Sequence, residues 1–259
     1  NTTGSQNTAS GYTALNRNTS GNYNTASGYE ALYSNTTGGD NTASGLRALY
    51  ANTTGNYNTA SGYEALKSNT TGTNNTASGM QALYTNTTGY YNTASGYRAL
   101  YTSTTGHYNT ALGYDAGDVI TTGSQNVIIG SGSDPSANSA ANQIVIGYGA
   151  TGHGDNIAVI GNGSATAIHP HDDGEVDLGS SSYEFKDLYV DGVAYTDALG
   201  FGTVAMTLPT ADGSANQILK TDGSGALSWV TQSSTVVTIT DNESTNEGNA
   251  LVFAADADL

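Results

Sequence analysis

The sequence predicts an all-β protein whose larger part is a parallel β-solenoid of 17-residue coils. Three observations carry this. The segment Asn7-Thr-Ala-Ser-Gly11 returns with Asn at 7, 24, 41, 58, 75, 92, 109 and 126, and self-similarity at one fixed period marks a stack in which each repeat is one coil. Glycines at 11, 28, 45, 62, 79, 96, 113, 130 and 147 keep the same step after the Asn-Thr-Ala-Ser spelling is lost. Thr, Asn and Gly recur every few residues, and each disfavours helix interiors.

Within a coil, Asn24 to Tyr29 has the alternation and Thr content of a short strand, and Tyr29 to Tyr33 reads as a second. Asn35-Thr36-Thr37-Gly38 has turn chemistry, because Gly takes positive φ and Asn bonds its own backbone. Two strands and two turns give a flattened β-coil whose like residues stack in columns about 4.8 Å apart. The Leu15, Leu32, Leu49, Leu66, Leu83, Leu100 column and its Ala14, Ala31, Ala48, Ala65, Ala82, Ala99 neighbour are the expected inward positions. The Tyr column that admits Leu46 and Met80 reads as packed. The next one, Tyr33, Tyr50, Lys67, Tyr84 and Tyr101, tolerates charge and reads as a solvent-facing rim. Asn7, Asn24, Asn41 and their successors are expected to form an amide ladder along the stack.

One Leu, two Ala and one or two Tyr per coil are little apolar surface for ordering 17 residues. The small Ala9 and Gly11 columns suggest that neighbouring chains approach closely, so the expected unit is a homotrimer with private Leu/Ala cores and a shared axis.

Composition excludes several functions. With 36% hydrophobic and 11% charged residues the chain is unlike a globular enzyme. Before residue 118, Arg17, Arg47, Lys67 and Arg98 balance Glu30, Asp40, Glu64 and Asp115. The net charge of -16 therefore arises later, where Lys186 and Lys220 face the other eighteen of the 22 acids. So acidic a chain lacks the cations that phosphate contacts need, and nucleic acid is not an expected partner. Cysteine is absent, which removes disulfides and thiolate metal sites. No apolar run reaches the roughly 18 residues of a membrane span, so no membrane insertion is expected. Asn1-Thr-Thr-Gly4 matches a repeat's tail, and the chain reads as a segment of a longer protein.

From 118 to about 165 the lattice persists while Asn126-Val-Ile-Ile-Gly130, Gln143-Ile-Val-Ile-Gly147 and Ile157-Ala-Val-Ile-Gly161 bring β-branched residues to the strand position. These residues resemble the head repeats of trimeric autotransporter adhesins, and the NTASGYxAL coils resemble repeats of bacteriophage tail fibres. The resemblance covers roughly 1–165 and implies a left-handed parallel β-roll in a trimer. Residues 166–196 read as a neck, and Leu178 to Gly192 resembles a tail-fibre segment found where the cross-section changes. Residues 197–259 read as small β-rich shaft modules, with Leu208 to Trp229 similar to a fibre module and Thr235 to Thr240 as a further strand.

Several motifs carry a sharper and a plainer reading. His169-Pro-His171 places two imidazoles on one side of a strand, and a trimer would aim six at its axis, an octahedral set for a transition-metal ion. Plainly, they are surface side chains, and no other cofactor is expected. Tyr33, Tyr50, Tyr84, Tyr90, Tyr91 and Tyr101 could stack on host glycans or serve as packing contacts. Asn18, Asn35, Asn52, Asn69 and Asn86 begin formal N-glycosylation acceptors, although turn chemistry explains them. The Thr8, Thr25, Thr42 and Ser10, Ser27, Ser44 columns resemble the Thr arrays of ice-binding solenoids or simply cap a β-face. Asp222-Gly-Ser-Gly and Asp241-Asn-Glu-Ser lack calcium-loop spacing and read as turns.

No catalytic constellation is apparent, so the chain is not expected to be an enzyme. The expected function is the shaft of a homotrimeric tail fibre on an extracellular virion, joined to other tail or fibre proteins and presenting a tip that meets a host glycan or protein receptor. A bacterial cell-surface adhesin or secreted fibre is the alternative, and an ice-binding solenoid or tailspike glycosidase stands further off.

Overall fold

A computed structural model describes residues 1–165, together with Ser182, Ala198–Phe201, Val204–Thr207, Ser214, Gln217–Thr221 and Leu227–Thr231. The chain divides into two compact units, Asn1–Asp173 and Gly174–Leu259. Among the described residues all regular structure is strand.

The first unit is a parallel β-solenoid. Its strands are β1 (Thr8–Ser10), β2 (Thr25–Ser27), β3 (Thr42–Ser44), β4 (Thr59–Ser61), β5 (Thr76–Ser78), β6 (Thr93–Ser95), β7 (Thr110–Leu112), β8 (Val127–Ile129), β9 (Ile144–Ile146) and β10 (Ala158–Ile160). They form one ten-stranded sheet in chain order. Register is exact at 17 residues, as in Ala26↔Ala43 and Ala60↔Ala77. The last step is 14, with Val159 opposite Val145. From β2 to β9 each strand buries its central residue and turns its flanking pair outward, as a period of two requires.

In the second unit β11 (Ala198–Phe201) pairs antiparallel with β12 (Val204–Thr207), and β13 (Gln217–Thr221) with β14 (Leu227–Thr231). The latter pair realises the strands expected in the Leu208 to Trp229 module. Thr235 to Thr240 lies outside the described residues.

The core is a column of fully buried Leu32, Leu49, Leu66, Leu83 and Leu100 between two Ala columns, one of them the strand centres. Inside the same stack lie two ladders of buried Asn. The expected ladder forms: the Asn41 amide donates to Asn24 Oδ1 at 3.1 Å and to the Gly55 carbonyl at 2.8 Å, while its own oxygen accepts the Asn58 backbone N–H at 3.0 Å. The turn residues form the second: Asn52 Nδ2 donates to Asn35 Oδ1 at 2.8 Å and to the same Gly55 carbonyl at 3.0 Å. In coils one to five one glycine carbonyl thus joins both ladders, and each turn Asn amide group donates to it.

Three expectations require correction, and the formal glycosylation acceptors keep their plainer reading. Tyr29 to Tyr33 is not a second strand. It is a run of turns with Glu30 and Leu32 at φ of 54° and 50°, still tied to neighbouring coils by Glu30 N–H to Tyr12 O and Leu32 N–H to Ala48 O. The left-handed residues let Ala31 and Leu32, adjacent in sequence, both face inward, which a strand forbids. The Tyr columns are exchanged in exposure: Tyr12, Tyr29, Leu46, Tyr63 and Met80 are exposed, whereas Tyr33, Tyr50, Tyr84 and Tyr101 are half-buried. The strand-centre Ala column from Ala26 to Ala111 packs in the chain's own core, and Gly11 with its successors brings coils of one chain together, so neither column argues for a neighbouring chain. Asn35, Asn52, Asn69 and Asn86 point inward with no exposure, and the folded coil cannot offer these amides to a glycosyl donor.

The ladder of turn Asn ends at coil six, where Ser103 replaces it. Asn86 Oδ1 and Ser103 Oγ are both buried without partners as a result. Beyond them Ile120 takes the position, and Ile120 and Ile128 fill the space left where Gly117 interrupts the Leu column. Ser103→Asn supplies a donor to Asn86 and leaves one unpaired oxygen in place of two, so we expect it to stabilise the solenoid by about 1 kcal/mol in urea unfolding followed by circular dichroism.

Candidate interaction faces of the solenoid

The outward strand face is chemically divided. Over β1–β7 it presents Thr and Ser, with Leu112 closing the series. Over β8–β10 it presents Val127, Ile129, Ile144, Ile146, Ala158 and Ile160. Seven Thr in the column from Thr8 to Thr110 are exposed and in register, and their hydroxyls make no internal hydrogen bond, unlike those of Thr36 or Thr53. On the aliphatic part Leu112, Ile144 and Ile160 are 51%, 42% and 56% exposed. Ile144 and Ile160 were legible as β-branched strand positions, but not as an apolar surface.

Beside this face runs a charge ladder that the sequence reading did not assign. Residues 30, 47, 64, 81, 98 and 115, one coil apart, are Glu, Arg, Glu, Gln, Arg and Asp. Arg47 Nε meets Glu30 Oε2 at 2.7 Å, Gln81 Nε2 donates to Glu64 Oε2 at 3.1 Å, and Lys67 Nζ meets Glu64 Oε1 at 2.6 Å. Burial opposes the Glu64 charge, but these hydrogen bonds and the nearby Lys67 and Arg47 outweigh it and hold the carboxyl below its ordinary value. The 17-residue alternation of sign was the signal available.

At the change of core chemistry Asp115 and Asp118 share one cation, and Asp134 stands beside them without one. Arg98 lies 3.6 Å from Asp115 and 3.7 Å from Asp118, beyond good hydrogen-bond reach. Asp115 and Asp134 each bury one carboxylate oxygen without a partner. Burial first, then Asp118 and Asp115, push Asp134 up to about 6, against backbone hydrogen bonds from Val119 and Asp118. A carboxyl raised in the folded state carries a penalty that is full above its folded value and absent below its unfolded one. Stability should therefore rise as pH falls from 7 to 5. Asp134→Asn should flatten that rise and, with solvent screening of the half-exposed site allowed for, add about 1 kcal/mol at pH 7, checked by unfolding at both pH values.

The tyrosines proposed for glycan contact fall into two groups. Tyr33 stacks on Tyr50 at 5.3 Å and Tyr84 on Tyr101 at 5.1 Å. Arg17, Arg47, Lys67 and Arg98 lie over the rings of Tyr33, Tyr50, Tyr84 and Tyr101, so neighbours already use those faces. Tyr90 and Tyr91 are more exposed and meet edge to face at 5.8 Å. His169 and His171 lie outside the described residues, as do the Asp222 and Asp241 turns. Among the described residues no group of three His, Cys, Asp or Glu side chains could hold a metal ion.

A cavity of about 420 Å³ sits where the coil shortens, lined by Gly149, Thr151, His153, Val159, Ile160, Gly161, Asn162 and Gly163. His153 is its one ionisable side chain, so the paired carboxylates of glycoside hydrolysis are not assembled there. Compared with protein-family models, curated proteins and solved structures, the chain gives no match.

Proposed function

We propose that this chain is the shaft of a homotrimeric viral tail fibre, a stiff spacer that carries a receptor-binding tip away from the particle. The observation that carries the reading is the aliphatic outward face of β8–β10, where Ile144 and Ile160 stand exposed beside Leu112 at the end of β7. Contiguous apolar surface of this kind marks a contact with another chain, and copies of the same strand face are self-complementary. The threefold count comes from the resemblance of the Val-Ile-Ile-Gly coils to trimeric adhesin heads. Each added coil extends the stack by about 4.8 Å without new chemistry, and three copies of a weak terminal contact act together through avidity.

Other tail or fibre proteins would join the shaft, and a host glycan or protein receptor would meet its tip. Immunoelectron microscopy with antibodies against the repeat coils tests the assignment. Label along thin fibres projecting from virions is expected. Label on the bacterial envelope alone would transfer the chain to the surface-adhesin reading, and label on neither would overturn a fibre role.

A further inference from the structure

Coils five and six end in Tyr90-Tyr91 and His107-Tyr108, at two positions that hold Asn56-Tyr57 and Thr73-Asn74 before them and Ser124-Gln125 after them. The backbone fixes the two pairs one above the other, with Tyr108 N–H donating to Tyr90 O and Tyr91 N–H to Thr73 O, both at 3.1 Å. Tyr90 stacks on His107 at 4.8 Å and 7°, and Tyr91 on Tyr108 at 5.1 Å and 6°. The two stacks stand almost perpendicular, at 77° between Tyr90 and Tyr91 and 74° between His107 and Tyr108. Other stacks, such as Tyr12 on Tyr29 or Tyr97 on Tyr114, are single files. Here two files meet, and Tyr91 and Tyr108 remain about half exposed.

The surroundings are neutral and polar. From residues 56 and 57 through 141 and 142, neither column contains Asp, Glu, Lys or Arg. Ser124 Oγ accepts the His107 backbone N–H and lies 3.2 Å from His107 Nδ1. A hydroxyl proton given to Nδ1 leaves the ring proton on Nε2 as a free donor. Asn74 and Gln125 bracket the rings with amides that both donate and accept. Aromatic faces receive the C–H faces of sugar rings, and a few amide and hydroxyl groups around them fix orientation. An anionic ligand finds no cation in these columns.

We propose that Tyr90, Tyr91, His107 and Tyr108 form a platform for a neutral pyranosyl glycan on the side of the solenoid. The site goes beyond the shaft role, since it places recognition on the coils themselves. Saturation-transfer NMR on the full chain, with maltohexaose, cellohexaose and mannohexaose as probes, tests it. Transfer to sugar ring protons is expected with at least one probe. The double variant Tyr91→Asn, Tyr108→Gln takes side chains that adjacent coils already carry at these positions, so its circular dichroism should stay unchanged while binding weakens at least tenfold. Tyr12→Ser, which disturbs a single-file stack, should leave binding intact. Transfer from none of the probes, or transfer that the double variant leaves intact, would overturn the proposal. So would a change in oligomer mass in the double variant, since the rings would then be a contact between copies.

Discussion

Asn58→Asp is expected to cost the solenoid about 4 kcal/mol at pH 7, more than Asn58→Ala at about 2–3 kcal/mol. The Asn58 amide is fully buried and donates to Asn41 Oδ1 at 3.1 Å and to Gly72 O at 2.8 Å. Asp keeps the oxygen that accepts from Asn75 but turns another oxygen on two acceptors. Alanine loses the bonds without adding a charge. The introduced carboxyl is held above its ordinary value by burial and by those acceptors, so its penalty is full at neutral pH and shrinks as acid protonates it. Urea unfolding of both variants at pH 7 and pH 5 should show their difference narrowing in acid. An Asp variant as stable as wild type at pH 7 would mean that the amide ladder contributes little.

Gly62→Ala should cost about 3 kcal/mol or more, a comparable loss from a different cause. Gly62 has φ of 141°, and an added Cβ would lie 2.5 Å from the Gly79 carbonyl oxygen and 2.7 Å from its carbon. The atoms it would meet are all backbone of the next coil, with nothing flexible to yield, and the conformation is costly for any L side chain. Gly39→Asn is the matched control. Its position carries Asn22 and Asn56 in the flanking coils, and it lacks the backbone crowding at Gly62. Thermal melts should place Gly39→Asn within a few degrees of wild type and Gly62→Ala well below it.

The lattice was legible because a solenoid writes its geometry directly into the sequence. A step of 17 placed strands β1 to β9, and the Leu column and one Asn ladder followed from it. What was misread came from treating each column by residue type rather than by its neighbours. Tyr29 to Tyr33 has the aromatic content of a strand, yet Ala31 and Leu32 are invariant side by side across six coils, and two adjacent inward residues require a turn. The Leu46 and Met80 substitutions were taken for packing, whereas an exposed column tolerates Tyr, Leu and Met because nothing in the chain constrains it. Lys67 sits in the more buried column because Glu64 and the Tyr84 hydroxyl accept its ammonium group. Asn35 and Asn52 were read as turn formers, which they are, but turn chemistry alone does not reveal that the amide points inward to a second ladder.

The candidate faces were less legible than the core. The two-file aromatic cluster needed the coils to be superimposed before Tyr90-Tyr91 and His107-Tyr108 became one surface. The cluster in which Arg98 meets Asp115 and Asp118, and these in turn press on Asp134, draws on three coils, and only their stacking brings the residues together.

The proposed trimer requires identical chains to cover the strand face of β8–β10. Sedimentation equilibrium of the full chain measures this most directly. A species of three times the 26.3 kDa chain mass is expected, shifted toward monomer by the pair Ile144→Arg and Ile160→Arg with the circular dichroism preserved. A folded species at 26.3 kDa across the concentration range would contradict it.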